Sequence, residues 1–373
     1  MKIIVLGTRG FPNIQGGVET HCQCLYPRLA KMGLDVTVCT RTHYLTRPFK
    51  SDWKGVKFIN IRCPRSKSLE AVVHTTLAVF GAGLFHADAD IAHIHSIGPS
   101  LLVPLAKLMG LKVVMTHHGP DYERAKWGWL AKAVLRLGER LGCTYADKII
   151  TISADIKAHV KRKFNRDAYL IPNGVEIREP TRKTDYIEDI GLTPNKYCLA
   201  VGRFVPEKGQ DDLISAFSSL QTDWKLAIAG EADHKTSYSR RLKSQVANNS
   251  KIVITGSIQG DYLNEIYSHA GVFVLPSYYE GFPIVTLEAL SYGLPVLLSN
   301  IAPNKEIGLD ENRYFPVGDK EALAERLDYW MKKGHLSREE QIRQIKMVRQ
   351  KYDWDDIAEQ VLQVYKSVST QLK

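Results

Sequence analysis

Short, β-branched apolar runs separated by longer amphipathic stretches set the rhythm of this chain from its first residues. In the first half such runs occupy residues 3–6, 36–39, 56–61, 91–95, 113–117 and 149–152. Each has the length and composition of a buried strand. Helix-length segments at 18–32, 69–85, 99–109 and 127–145 lie between most of them. Alternation of this kind predicts a parallel sheet covered by helices on both faces, with ligands collecting at the strands' carboxyl ends.

The pattern restarts after Pro172-Asn173-Gly174, a turn sequence that places a linker within 171–180. Further apolar runs at 198–201, 226–229, 252–255, 272–275 and 296–298 again alternate with helical segments. Three helical stretches, 320–331, 338–350 and 354–367, close the chain. The prediction is an α/β protein of two doubly wound, Rossmann-like domains facing across a cleft, residues 1–173 and 174–352. A length of 373 residues suits two domains.

One stretch concentrates the candidate chemistry. Residues 278–296, YYEGFPIVTLEALSYGLPV, follow the apolar run at 272–275 and open a helix with Pro283 expected in its first turn and Gly293 as a left-handed cap. Such a corner presents unpaired N–H groups and the positive helix end, which suits an anion. Glu280 and Glu288 bracket it. Carboxylates beside an anion site oppose binding unless they accept from hydroxyls of the same ligand, and a nucleotide sugar carries both groups.

Three further loops leave predicted strands. Residues 201–209, VGRFVPEKG, place Arg203 and Lys208 five residues apart across a turn. Both can converge on one diphosphate, the guanidinium as a fork and the ammonium as a point charge. Residues 7–19 carry Gly10, Gly16 and Gly17, which allow close backbone approach to phosphate or sugar. This loop is not G-x-G-x-x-G, and Cys39-Thr40-Arg41 stands where a ribose-binding acid would end the second strand, so the pattern opposes a dehydrogenase. The third loop is Thr116-His117-His118-Gly119, where alternation lets only one histidine face the ligand. His93 and His95 on the neighbouring run keep a metal reading open, although hydrogen-bonding and core histidines are commoner. Asp88-Ala89-Asp90 mimics a metal-binding D-x-D but precedes a strand, at the end remote from the ligand.

Charge changes the picture more than composition does. Up to Val175 the chain carries 25 basic against 12 acidic residues, and afterwards 25 against 28. The basic first half suits an anionic partner, either a phosphate-bearing acceptor or an anionic membrane leaflet. Nucleic acid is not expected, because the basic residues are not interleaved with aromatics. The six cysteines contain no C-x-x-C and read as reduced thiols. No run reaches the roughly 18 apolar residues of a membrane span, and the N-terminal run lacks a signal-peptide core. The expected location is the cytoplasm, with peripheral contact at the inner face of the membrane.

Taken together, GTRGFPNIQGGVET, THHG, IPNGVE, VGRFVPEKG and the E-x7-E stretch EGFPIVTLEALSYGLPV resemble the retaining GT-B glycosyltransferases of family 4, of a bacterial surface-polysaccharide type. The resemblance runs end to end. It implies transfer of a sugar from a UDP-, GDP- or dTDP-linked donor to a carbohydrate or lipid-linked acceptor, without metal or other cofactor. It implies that Arg203 and Lys208 hold the diphosphate, Glu288 the ribose, and Glu280 the transferred sugar. The amides of Phe282, Ile284 and Val285 would touch sugar or phosphate, Gly16 and Gly17 would approach the diphosphate, and His118 would lie near the reacting sugar. It also implies that a final helix within 353–373 returns to pack on the first domain. Pro283 departs from the family, standing where many members have glycine and removing one N–H. The competing readings are a nucleotide-sugar 2-epimerase on the same fold, a glycoside hydrolase using Glu280 and Glu288, and a silent sugar-nucleotide-binding protein.

Overall fold

A computed structural model describes residues 1–45, 51–64, 70–86, 88–124, 127–232, 236–247 and 249–369. It divides into two compact units, Met1–Gly174 with Trp354–Lys373, and Val175–Asp353. The first unit holds β1 (Lys2–Leu6), β2 (Asp35–Arg41), β3 (Asp52–Trp53), β4 (Val56–Ile61), β5 (Ile91–His95), β6 (Val113–His117), β7 (Lys148–Thr151) and β8 (Tyr169–Leu170). They form one sheet in the order β3-β4-β2-β1-β5-β6-β7-β8, parallel except for the β3–β4 pair. Helices α1 (Gly17–Lys31), α2 (Glu70–Phe85), α3 (Val103–Leu108), α4 (Trp129–Tyr145) and α5 (Ala154–Phe164) connect the strands. The strand order reverses between β1 and β5, so the loops after these strands border the crevice where such a sheet binds ligands. The loop after β1 holds Gly10 and Gly16.

The second unit repeats the plan. Strands β9 (Tyr197–Val201), β10 (Lys225–Ala229), β11 (Ile252–Gly256), β12 (Val272–Leu275), β13 (Val296–Ser299) and β14 (Tyr314–Phe315) form a parallel sheet in the order β11-β10-β9-β12-β13-β14. Its helices are α6 (Asp185–Asp189), α7 (Gln210–Ser218), α8 (Ser237–Val246), α9 (Gly260–Ser268), α10 (Ile284–Ser291), α11 (Ala302–Lys305), α12 (Lys320–Lys333) and α13 (Arg338–Lys351). Here the order reverses between β9 and β12, and the loops that follow them are 202–209 and 276–283. These are the two loops singled out for cations and for the anion-binding corner.

The last helix, α14 (Trp354–Ser369), belongs to the first unit. Trp354, Ile357, Val361, Val364 and Val368 recur at helical spacing and are buried in one cluster with Leu25, Tyr26 and Leu29 of α1. Gly174 lies under Trp354, and a Cβ there would sit 2.7 Å from the indole ring. The glycine of the Asn173-Gly174 turn is thus required by packing.

Several details differ from the sequence expectation. The predicted helix at 99–109 is a 3₁₀ turn, Pro99–Leu102, followed by the shorter α3. Pro283 is the N-cap of α10 and not a first-turn residue, with φ −81° and ψ 99°. The two-residue strands β3, β8 and β14 and helices α5 and α6 are additions. Leu69, the predicted start of the helix at 69–85, and the end of the 353–373 segment lie outside the described residues. Asp88 and Asp90 both engage Lys2, through its ammonium and backbone N–H, and tie the start of β1 to the approach to β5. No disulfide joins the six cysteines. No described helix is long and apolar enough to cross a membrane.

Trp354 is 1% exposed. Trp354→Ala should therefore cost about 3–5 kcal/mol in the first unit, read as an earlier urea transition of that unit with the transition of Val175–Asp353 unmoved.

Candidate functional site

In the second unit one ion pair joins the two loops at the point of strand reversal. Lys208 Nζ lies 2.6 Å from Glu280 Oε1, and the side chains are 17% and 10% exposed. Ser277 Oγ donates to the same carboxylate oxygen at 2.6 Å. The lysine stem passes Gly202, whose Cβ would be 3.6 Å from Lys208 Cε. Gly209 has φ 61°, and a Cβ there would collide with the carbonyl oxygen of Pro276. Glycine is needed at 209 both for its left-handed backbone and for this close approach. Tyr278 N–H donates to the Glu207 carbonyl at 2.9 Å and fastens the loops a second time.

Arg203 leaves β9 half-buried. Gln210 Nε2 donates to the Arg203 carbonyl at 3.0 Å and fixes the loop backbone at that residue. Phe282 and Ile284 are buried and Val285 partly so, at the start of α10. Thr286 N–H is the first to find a backbone acceptor, the Pro283 carbonyl at 3.1 Å. The N–H groups of Ile284 and Val285 precede any intrahelical acceptor and form the positive end of α10. Pro283 takes one N–H from this end, as its residue type dictates.

Glu288 sits one turn further on. Tyr267 OH donates to its Oε2 at 3.0 Å, and burial pushes its carboxyl from an ordinary 4.5 up to about 7. Near neutrality this carboxyl therefore changes between donor and acceptor. An open pocket of about 400 Å³ is lined by Pro206, Asp211, Asp212, Ser237, Tyr238, Arg241 and Tyr278. Two carboxylates against one guanidinium make it unsuited to a diphosphate.

In the first unit Gly16 is the N-cap of α1, with φ 155°. A Cβ at Gly16 would run into the Glu19 carboxylate and the Arg9 guanidinium, which are paired at 2.9 Å. Arg9 also reaches the Gln15 carbonyl. The loop is thus held rigid by its own ion pair, and a Cβ at Gly17 would meet nothing within 4 Å.

His117 and His118 diverge as alternation requires. Gly119 N–H donates to His117 Nδ1 at 3.1 Å, so Nε2 carries the proton and donates to the buried Glu139 at 3.0 Å. His118 joins a buried histidine cluster instead. His118 Nε2 is 2.9 Å from His95 Nδ1, His95 Nε2 is 2.5 Å from Tyr26 OH, and His93 Nδ1 is 2.5 Å from Tyr365 OH of α14. His21 Nδ1 meets Asn173 Oδ1 at 2.9 Å, leaving His21 Nε2 buried without a partner. Burial, reinforced by neighbouring histidines, holds His118 and His95 well below the ordinary value. The cluster is neutral at pH 7. His21, His95 and His118 are the metal-capable group found among the described residues, but both ring nitrogens of His95 are already engaged. His21, Asn173, Tyr267 and Ser277 did not stand out in the sequence, since each reads there as an ordinary helix, turn or loop residue.

Two family models match the chain, one described as Glycosyltransferase Family 4 over residues 15–179 and one as Glycosyl transferases group 1 over residues 183–351. The chain belongs to the GT-B glycosyltransferases of the family 4 and group 1 type. An uncharacterized glycosyltransferase of Methanocaldococcus jannaschii is 29% identical, with 98% of each chain covered. Sucrose-phosphate synthase of Thermosynechococcus elongatus has the same fold, with a TM-score of 0.83, 21% identity and 99% of each chain covered. HepE of Anabaena, solved in complex with UDP-glucose, aligns with a TM-score of 0.81 and 17% identity over 98% of this chain and 100% of its own. The epimerase reading finds no counterpart among these proteins.

The glycosyltransferase should show the titration of Glu288 in its stability. An unfolded-chain value near 4.5 and a folded value near 7 mean that the folded protein holds this proton more tightly. The contribution is complete below about 4.5 and is lost as pH rises through about 7. Glu288→Gln should match the wild type in unfolding free energy at pH 5 and exceed it at pH 8 by on the order of 3 kcal/mol, read from thermal unfolding at the two pH values.

Proposed function

We propose that this glycosyltransferase moves a sugar, with retention, from a nucleotide-diphosphate donor to an acceptor hydroxyl in polysaccharide or glycolipid synthesis. The observation that carries this reading is the Lys208–Glu280 pair at 2.6 Å, a cation and a carboxylate held together beside the N-terminus of α10. A donor's diphosphate can take the ammonium, and its sugar hydroxyls the carboxylate. In that exchange Lys208 and Arg203 bind the diphosphate, with Gly16, Gly17 and the amides of Phe282, Ile284 and Val285 as further contacts. Glu280 receives the transferred sugar, Glu288 accepts from the ribose, and neutral His118 faces the reacting sugar. UDP-glucose in the structurally similar HepE supports a nucleotide sugar as the ligand class.

Glycosyl transfer passes through an oxocarbenium-like state while negative charge grows on the departing diphosphate. Fixed cations and N–H dipoles aimed at that charge stabilise the transition state more than the ground state. In the proposed front-face reaction the bond from the anomeric carbon to the phosphate oxygen breaks as the bond to the acceptor oxygen forms. The acceptor's proton passes to the leaving phosphate oxygen. These side chains supply the required charge stabilisation, and the proposal includes no metal. The basic first unit suits a phosphate-bearing or lipid-linked acceptor.

Two measurements test this reading. Lys208→Ala and Arg203→Ala should each lower turnover at least about tenfold with the fold retained; wild-type rates in both would overturn the assignment. A thermal-shift screen over UDP, GDP, dTDP and their sugars should yield at least one stabilising nucleotide, by roughly 2.7 kcal/mol at a hundredfold excess over its dissociation constant. A flat response to all of them would reject a nucleotide-sugar donor.

A further inference from the structure

The helices joining β4 to β7 through β5 and β6 are packed as one layer by glycines. Gly83 of α2 admits the Met109 side chain, and Gly138 and Gly142 of α4 rest against the Ile97 carbonyl and Ser100. The inward faces are accounted for by this packing and by buried Glu139. The outward faces carry large apolar side chains. On α4, Trp129, Leu130, Val134 and Leu137 recur along one side of the helix and are 82%, 62%, 36% and 48% exposed. On α2, Leu77, Phe80 and Leu84 follow the same spacing, at 47%, 44% and 68%. Leu108, at the end of α3, is 85% exposed.

Charge identifies what this face fits. The acidic residue of α4, Glu139, is buried among His117, His159 and Lys163. That of α2, Glu70, is buried against Arg41 at 2.8 Å, and α3 has none. None of the three helices therefore presents an exposed carboxylate, whereas Arg136 and Arg140 are exposed beside the α4 stripe and Lys132 partly so. Two copies of this face would set arginines against arginines with no acid in reply. An anionic bilayer supplies both requirements, negative headgroups for the cations and an acyl boundary for the apolar stripe.

We propose that the α2–α3–α4 face of the first unit is a peripheral docking surface for an anionic lipid bilayer, with α4 lying in the interface and Trp129 at headgroup depth. The surface deepens the lipid-linked acceptor of the proposed function and rests on that reading only for its purpose; its binding needs no donor. The protein should float with vesicles of phosphatidylcholine containing about 30% phosphatidylglycerol, not with phosphatidylcholine alone, and less so as salt rises. Combined Trp129→Ser, Leu130→Ser and Leu137→Ser, and separately Arg136→Glu with Arg140→Glu, should weaken flotation at least about tenfold. Because these side chains are exposed, both variants should keep the wild-type thermal midpoint and nucleotide-induced shift, which separates this outcome from failure of the donor assignment. Absence of wild-type flotation on anionic vesicles, or undiminished flotation of both variants, overturns the proposal. So does sedimentation showing that the wild type self-associates through this face and the triple serine variant does not.

Discussion

The approach of Gly209 to the Pro276 carbonyl is the constraint on which the candidate site depends. It brings the loop leaving β9 against the loop leaving β12, the two strands between which the sheet order reverses. Only a residue without Cβ and tolerant of φ 61° can occupy that position. Once the loops are closed, Lys208 and Glu280 fall within 2.6 Å of each other. Both would be costly to bury alone, and pairing with a further hydrogen bond from Ser277 offsets that cost. The site is thus held in a charged but neutralised state, which a ligand bearing both phosphate and hydroxyl groups can exchange into without leaving either charge unpaired.

The first unit solves a different problem. The clustered histidines His21, His93, His95 and His118 are buried where the ionised form would be penalised, and each finds a hydroxyl, an amide or another imidazole. The chain of contacts from His118 through His95 and Tyr26 to His93 and Tyr365 links the end of β6 to α14. The position of His118 consequently depends on packing by the last helix, not only on its own strand.

Most of the fold was legible because parallel strands buried on both faces read as continuous apolar runs, and glycines and prolines punctuate them. The strands β9, β10, β11, β12 and β13 all fall at the predicted positions within a residue or so. What escaped notice had a weak or shared signal. Strands β3, β8 and β14 are two residues long and leave no periodicity, and α5 is a charged helix with few buried positions. Tyr267 and Asn173 gain their roles only when distant segments meet. The stripe on α4 was visible as an amphipathic helix, but sequence alone assigns its apolar side to the core. In the structure glycines, Glu139 and Cys143 face inward, and the apolar stripe faces out.

The membership of α14 in the first unit has a consequence for biosynthesis. When residues 1–174 have been made, Leu25, Tyr26 and Leu29 have no helix to cover them. The entire second unit must then be translated before Trp354 and Tyr365 arrive. The nascent chain carries an uncovered greasy seam throughout that interval, so its first half can be completed only after the second has been made.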